Sequence, residues 1–326
     1  MMTKKDVGFI AAICKSKERL LVGGEKFSRM IEADSAEDAF RILRESGFGG
    51  EAEASGARDY EKLIAAETEN LNLFLREYAP NEKYAETLLL ANDFHNADGA
   101  VRAAHGFGDR KSLTEEGYYP LPEIEKAAQG NRAELPAELL SAIREANGAF
   151  ENGTASGARI GTIFLNACYR RKLAICPDKT LKKAIVAEID GKNVSVALRL
   201  KNRRQNEGRY LGGGSLTREE LSLLEEKDGR KIRSAFLYSP LRDLVFTGID
   251  EIERNVPLVS FEREAESAYL KTLKEKKYET EGAIPFLLYA EYKRNELKNV
   301  RVVMAGMLCG ASKEKIRGRL REGYDG

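Results

Sequence analysis

The chain has 326 residues, 42% of them hydrophobic and 32% charged, the composition of a folded protein with a heavily charged surface. Lys and Arg number 53 against 52 Asp and Glu, a net charge of +1, so the basic surplus of a nucleic-acid binder is missing. The four cysteines, Cys14, Cys168, Cys176 and Cys309, form neither a CxxC pair nor a zinc-ligand spacing and read as buried reduced thiols.

At the amino terminus, Met-Met-Thr-Lys-Lys-Asp is basic, but the apolar stretch 8–14 soon meets Lys15, Lys17 and Glu18, which is no signal peptide. Nowhere does the chain approach the roughly 18 uninterrupted apolar residues that cross a bilayer. Residues 300–308 come nearest, and they are few and contain Arg301. The expected location is therefore cytoplasmic, with any membrane association running through a partner. Helix starts are predicted at Ser35-Ala-Glu-Asp38, Ser112-Leu-Thr-Glu115 and Thr217-Arg-Glu-Glu220. Each sets a hydroxyl three residues before an acid, so the hydroxyl can accept a free amide of the first turn and the acid suits the positive helix end. Behind Ser35, an apolar stripe of Ala39, Ile42, Leu43 and Phe48 runs at nearly helical spacing. Breaks fall at Gly47-Phe-Gly-Gly50 and Gly212-Gly-Gly-Ser215, the second reading as a plain flexible connection.

An internal repeat organises these elements. Asp93-Phe-His-Asn96, Asp190-Gly-Lys-Asn193 and Glu296-Leu-Lys-Asn299 recur about every hundred residues. The residue before each asparagine is His95, Lys192 or Lys298, and the residue after it is Ala97, Val194 or Val300. Farther on stand Val101, Leu198 and Met304, and Arg102 aligns with Arg199 where the third copy has Ala305. Spacings of three and four put these columns on one helical face. Residues 185–199 also satisfy a hairpin pattern, with Asp190-Gly191 between alternating apolar residues. The other two copies carry no such alternation, so the repeat assigns this one to helix, with Gly191 inside it at a cost of about 1 kcal/mol relative to alanine.

Little in the chain resembles chemistry. Asp93 and His95 could be written as an acid/base pair of a hydrolase, but two positions apart on a helix they face nearly opposite sides. Asp93, Asn96 and Arg102 read instead as polar groups tying packed helices together. His105, before Gly106 and Gly108, reads as a helix-terminal residue. The phosphate-loop pattern is absent: Gly191-Lys192 is followed by Asn193, and Val186 stands where the first glycine belongs. No catalytic, cofactor-binding or metal-ligating residue is assigned. Basic clusters at Lys201-Asn-Arg-Arg204 and at 313–321, the latter interleaved with Ile316 and Leu320, suit a solvated helix face or a docking surface.

These residues resemble a family. Asp93-Phe-His-Asn96 is similar to the Tyr-Asp-Phe-His-Asn signature of the C subunits of V/A-type (vacuolar-type) rotary ATPases, the counterparts of the eukaryotic V-ATPase d subunit. The run from Tyr292 through Asn299, Arg301 and Gly306 to Ile316-Arg-Gly-Arg-Leu320 resembles that family's closing pattern. Asp190 through Arg199, followed by the glycine loop, falls where the family has its middle copy, and the opening from Gly8 to Leu21 fits loosely. Asn92 stands where the signature has tyrosine, Met307 where lysine is common, and the opening helix lacks the usual arginine, which marks a divergent member. The resemblance implies an all-α fold of three similar helical bundles in a pseudo-threefold funnel, with repeats at about 1–110, 111–214 and 215–326. It also implies a non-catalytic socket on the inner face of the membrane, between the central shaft subunits and the membrane rotor (proteolipid) ring. There it would transmit torque for H+ or Na+ transport and bind neither nucleotide nor cofactor. The residues taken alone leave a generic helical scaffold open as the other reading.

Overall fold

The computed structural model describes residues 7–200, 210–279 and 282–324. Among them are fifteen α-helices and two short 3-10 turns, with no strand: the protein is all-α. The chain forms two compact units, one from residues 1–81 and 257–326, the other from residues 82–256. The basic cluster Lys201–Arg204 lies outside the described residues.

The first unit is assembled around one helix. Its members are α1 (Val7–Glu18), α2 (Gly24–Glu32), α3 (Ala36–Glu45) and α4 (Tyr60–Tyr78) from the amino-terminal segment. From the carboxy-terminal segment come α13 (Val259–Lys274), α14 (Ile284–Leu308) and α15 (Lys313–Gly318). Helix α14 packs against all six others. Between Ile284 and Val300 its buried positions point in every direction, which is how a helix surrounded by others must read. Phe74 of α4 anchors one side, with ring centroids 5.8 Å from Phe286 and 4.7 Å from Tyr289. At the far end Gly306 lets α15 come close: a β-carbon there would sit 2.7 Å from Cγ1 of buried Ile316.

The second unit runs α5 (Glu82–Ala104), α6 (Leu121–Ala128), α7 (Ala137–Glu151), α8 (Gly157–Ile175) and α9 (Lys179–Leu200), then α10 (Arg218–Leu224), α11 (Gly229–Phe236) and α12 (Arg242–Glu253). Helix α5 packs on α6, α7 and α8, and α9 packs on α8, α10 and α12. The core joins Leu90, Phe94, Val101, Ile124, Leu139, Ile143, Ile160 and Phe164 with many alanines, whose small size brings the helix backbones near one another. Residues 185–199 lie inside α9 and form no hairpin, and Gly191 is buried. Apolar alternation there serves a helix enclosed on several sides.

Two of the three predicted helix starts are present. Ser35 accepts from the Asp38 amide at 3.1 Å, and Thr217 forms a reciprocal capping box with Glu220. The third is corrected: residues 113–120 are loop and α6 starts only at Leu121, because the amides of this stretch are engaged by buried side chains of α5. The reading of four buried thiols is corrected too. Cys14 and Cys168 are buried, and burial pushes the Cys14 thiol up to about 12, but Cys176 is half-buried and Cys309 is exposed. Among the described residues no helix is long and apolar enough to cross a membrane.

Ile316 is the buried residue of the last helix and packs against Gly306 of α14. Ile316→Ala is expected to cost about 2–4 kcal/mol in urea denaturation, while Lys315→Ala on the exposed face of the same helix should stay within about 0.5 kcal/mol.

Candidate functional site

The three acid-to-asparagine stretches fold into three clamps that share one geometry. In each, the asparagine carboxamide pairs with both backbone groups of a single residue farther along the chain. Oδ1 of Asn96 accepts the Thr114 amide at 2.9 Å and Nδ2 donates to the Thr114 carbonyl at 2.8 Å. Asn193 does the same with Leu211, at 2.8 and 2.9 Å. Asn299 does it with Arg321, again at 2.8 and 2.9 Å. Each carboxamide thus replaces a neighbouring peptide group for a segment with no strand or helix of its own, which satisfies backbone polar groups that burial would otherwise leave unpaired.

The acid of each clamp fixes a second point. Asp93 is fully buried and accepts the amides of Tyr118 and Tyr119, both at 3.0 Å. Asp190 accepts the Ser215 amide at 2.7 Å and its hydroxyl at 2.6 Å. A glycine lies against each carboxylate, Gly117 on Asp93 and Gly214 on Asp190, and both follow their aspartate by 24 positions. A β-carbon at these glycines would sit 2.1 and 2.4 Å from Oδ1, so only glycine lets the loop approach the acid. The third copy departs. Glu296, one methylene longer, leaves the carboxy-terminal segment and accepts the Val22 amide at 2.5 Å, at the turn between α1 and α2. Its other oxygen takes Lys293, itself buried and bonded to Glu67 at 2.6 Å.

Burial recurs column by column. Asp93, Asp190 and Glu296 are buried, as are Asn96, Asn193 and Asn299, while His95, Lys192 and Lys298 between them are exposed. Burial holds the carboxyls of Asp190 and Glu296 above the ordinary carboxylate range, outweighing the Ser215 donors in one case and Lys293 in the other. Arg102 turns away from its clamp, bonding Asp98 at 2.5 Å and reaching the Gly157 carbonyl at 3.3 Å, and Arg199 is exposed.

The acids and asparagines of the repeat therefore tie loops to helices and not helix to helix. Nor is the Gly212–Ser215 connection slack. Besides the ties to Asp190 and Asn193, Asn166 accepts the Gly212 amide at 2.9 Å. Other straps have no mark in the repeat: Asn92, at the position of the signature tyrosine, donates to the Glu116 carbonyl at 3.1 Å, and Asn295 donates to the Glu322 carbonyl at 3.0 Å. Their nearness to the repeated asparagines is the signal that points to them. His95 stands apart from Asp93, exposed and with Nε2 at 3.3 Å from the Ser112 carbonyl, whereas both Asp93 oxygens hold backbone amides. His105 follows α5 directly, 3.0 Å from Oδ1 of Asn147 and stacked on Phe150. The carboxy-terminal basic cluster is largely neutralised within its own unit: Lys313 and Arg317 converge on Glu32, and Arg321 bonds Glu266 at 2.7 Å. No group of three or more His, Cys, Asp and Glu side chains among the described residues is arranged to hold a metal.

Fold and clamps together define an all-helical protein whose recurrent polar residues brace its own loops. The sequence profile of the ATP synthase (C/AC39) subunit family matches residues 10–319, and the chain belongs to that family. It is 23% identical over 323 residues to the C subunit of the V-type sodium ATPase of Enterococcus hirae, covering 96% of this chain and 97% of that protein.

Glycine substitutions separate the braced positions from the free ones. Gly117→Ala and Gly214→Ala are each expected to lower stability by about 2–3 kcal/mol, because the buried carboxylate must give up its donors. Gly212→Ala, where a β-carbon meets nothing within 4 Å, is expected to change it by no more than about 0.5 kcal/mol; urea denaturation reads all three.

The raised acid predicts a pH signature. Folding favours protonated Asp190, so its contribution is fully present below the unfolded carboxyl pKa and is lost as pH rises through the higher folded value. Asp190→Asn, which imitates the protonated acid, should therefore gain stability relative to the parent across that rise. A stability difference that stays flat with pH would contradict this.

Proposed function

We propose that the chain is the central-stalk socket of a rotary V/A-type ATPase. In this reading it receives the foot of the central shaft and seats on the membrane rotor (proteolipid) ring at the inner face of the membrane. It passes torque between them for H+ or Na+ transport, takes no part in the chemistry of ATP, and binds neither nucleotide nor cofactor. The observation that carries the reading is the family match over nearly the whole chain, joined by full-length similarity to the C subunit of a V-type sodium ATPase. Helices with close-packed cores and strapped loops supply the stiffness such a coupling needs. A surface of mixed charge suits interfaces in which complementary charge sets orientation.

With this reading goes a division into three repeats at about 1–110, 111–214 and 215–326, and the matching placement of the three clamps supports it. Asp93 and Asn96 of the first repeat hold Tyr118 and Thr114 of the second. Asp190 of the second holds Ser215 of the third, and Glu296 of the third holds Val22 of the first. On these bounds the acids of the three repeats reach from one repeat to the next and from the last to the first, while Asn193 and Asn299 hold residues of their own repeats.

The test is removal and add-back in membranes that carry the complete ATPase. Without the chain, ATP hydrolysis should no longer drive ion uptake, and purified chain should restore coupling. Affinity purification from solubilised membranes should retain shaft and ring components. Coupling that survives the deletion would refute the socket, and soluble partners alone would favour a general scaffold.

A further inference from the structure

A groove of about 300 Å³ opens along one face of α8, between α5 and α9. Phe94, Phe164 and Cys168 form its floor, and Leu165 stands at its edge with 40% of its surface exposed. Its flanks come from equivalent repeat positions, since Ala91 and His95 on α5 correspond to Glu188 and Lys192 on α9. Two observations bear on what enters. Gly161, in the interior of α8 and on the groove wall, has nothing beyond its own stretch of helix within 4 Å of the place its β-carbon would occupy. Alanine would favour the helix there by about 1 kcal/mol, and no contact within the chain forbids it, so the vacant space admits something from outside. The rim charges are also unequally engaged. Asp98 is paired with Arg102 at 2.5 Å, and Glu188 accepts the Tyr169 hydroxyl at 2.6 Å. Lys172 lies over the Tyr169 ring, and Lys192 makes a long ion pair with Glu188, at 3.9 Å, with 44% of its side chain exposed. An incoming carboxylate finds two ammonium groups, whereas an incoming cation finds carboxylates already committed.

We infer that this groove docks an amphipathic helix of another protein chain, one that inserts a large apolar side chain over Gly161 and sets an acidic residue one turn away against Lys172 and Lys192. The volume suits one or two such side chains, and the mode is that of an amphipathic helix laid in a groove. This goes beyond the socket reading and stands whether or not that reading holds.

A display library of randomised helical peptides, selected against the full chain, tests it. Selected peptides are then measured against the parent, Gly161→Leu, and the double variant Lys172→Glu with Lys192→Glu. Leu165→Asp, at an exposed position, gives the same readout should the bulkier change at 161 disturb the helix content or melting temperature. Peptides that lose at least tenfold affinity on Gly161→Leu or Leu165→Asp are expected to carry Asp or Glu three or four positions from Leu, Ile, Met or Phe, and to lose a similar factor with the double variant. The proposal is overturned if no peptide depends on the groove, or if groove-dependent peptides are basic. It is equally overturned if the variants abolish binding to phosphatidylglycerol vesicles instead, which would assign the groove to lipid.

Discussion

The structure turns on how a folded chain satisfies peptide groups in segments that are neither helix nor strand. A loop laid over a helical core carries amides and carbonyls that lose water without gaining partners, each at a cost of about 1–3 kcal/mol. Here a buried asparagine presents one acceptor and one donor to both backbone groups of a facing residue, and an acid three positions earlier takes further amides. A spacing of three puts both side chains on one side of the helix, so a single turn of α5 or α9 grips one loop at two points, and a turn of α14 grips two segments. The loop answers with glycine where the acid must approach closely.

The same constraint explains how the copies differ. In the first two, aspartate reaches a loop that follows within the same stretch of chain. In the third, the longer glutamate reaches back to Val22, so that the amino-terminal turn is held by the last long helix. That choice draws a cation inward: Glu296 and Glu67 share buried Lys293, since two acids in a dry interior require a partner. Both chain ends are thereby fastened to α14, Val22 through Glu296 and Arg321 through Asn299. This is the physical content of one compact unit formed from both ends of the sequence.

Short connections in helical proteins commonly rest on the surface and move, whereas 113–119 and 210–216 are bonded through side chains and backbone to the helices beneath them. Polar residues at the heart of the fold are thus occupied with architecture. The positions between them, His95, Lys192 and Lys298, are exposed, and two of the three border the groove along α8.

Much was legible in the sequence: the helical class, the caps at Ser35 and Thr217, and the recurrence of acid, basic residue and asparagine are local patterns, and local patterns follow from residue spacing on one helix. The family likeness rested on the same stretches. Partners are another matter. Nothing local distinguishes an asparagine that holds a helix from one that holds a loop 18 residues on, and the loop at Ser112 looked like a helix start because its competing bonds come from α5. Nor could spacing alone choose between hairpin and helix at 185–199, since a helix enclosed on several sides is apolar in every direction. Sequence by itself determined which residues recur and on which helical face they lie. Tertiary structure alone decided what they grip, because a hydrogen bond between distant segments exists only after packing has brought both out of water together.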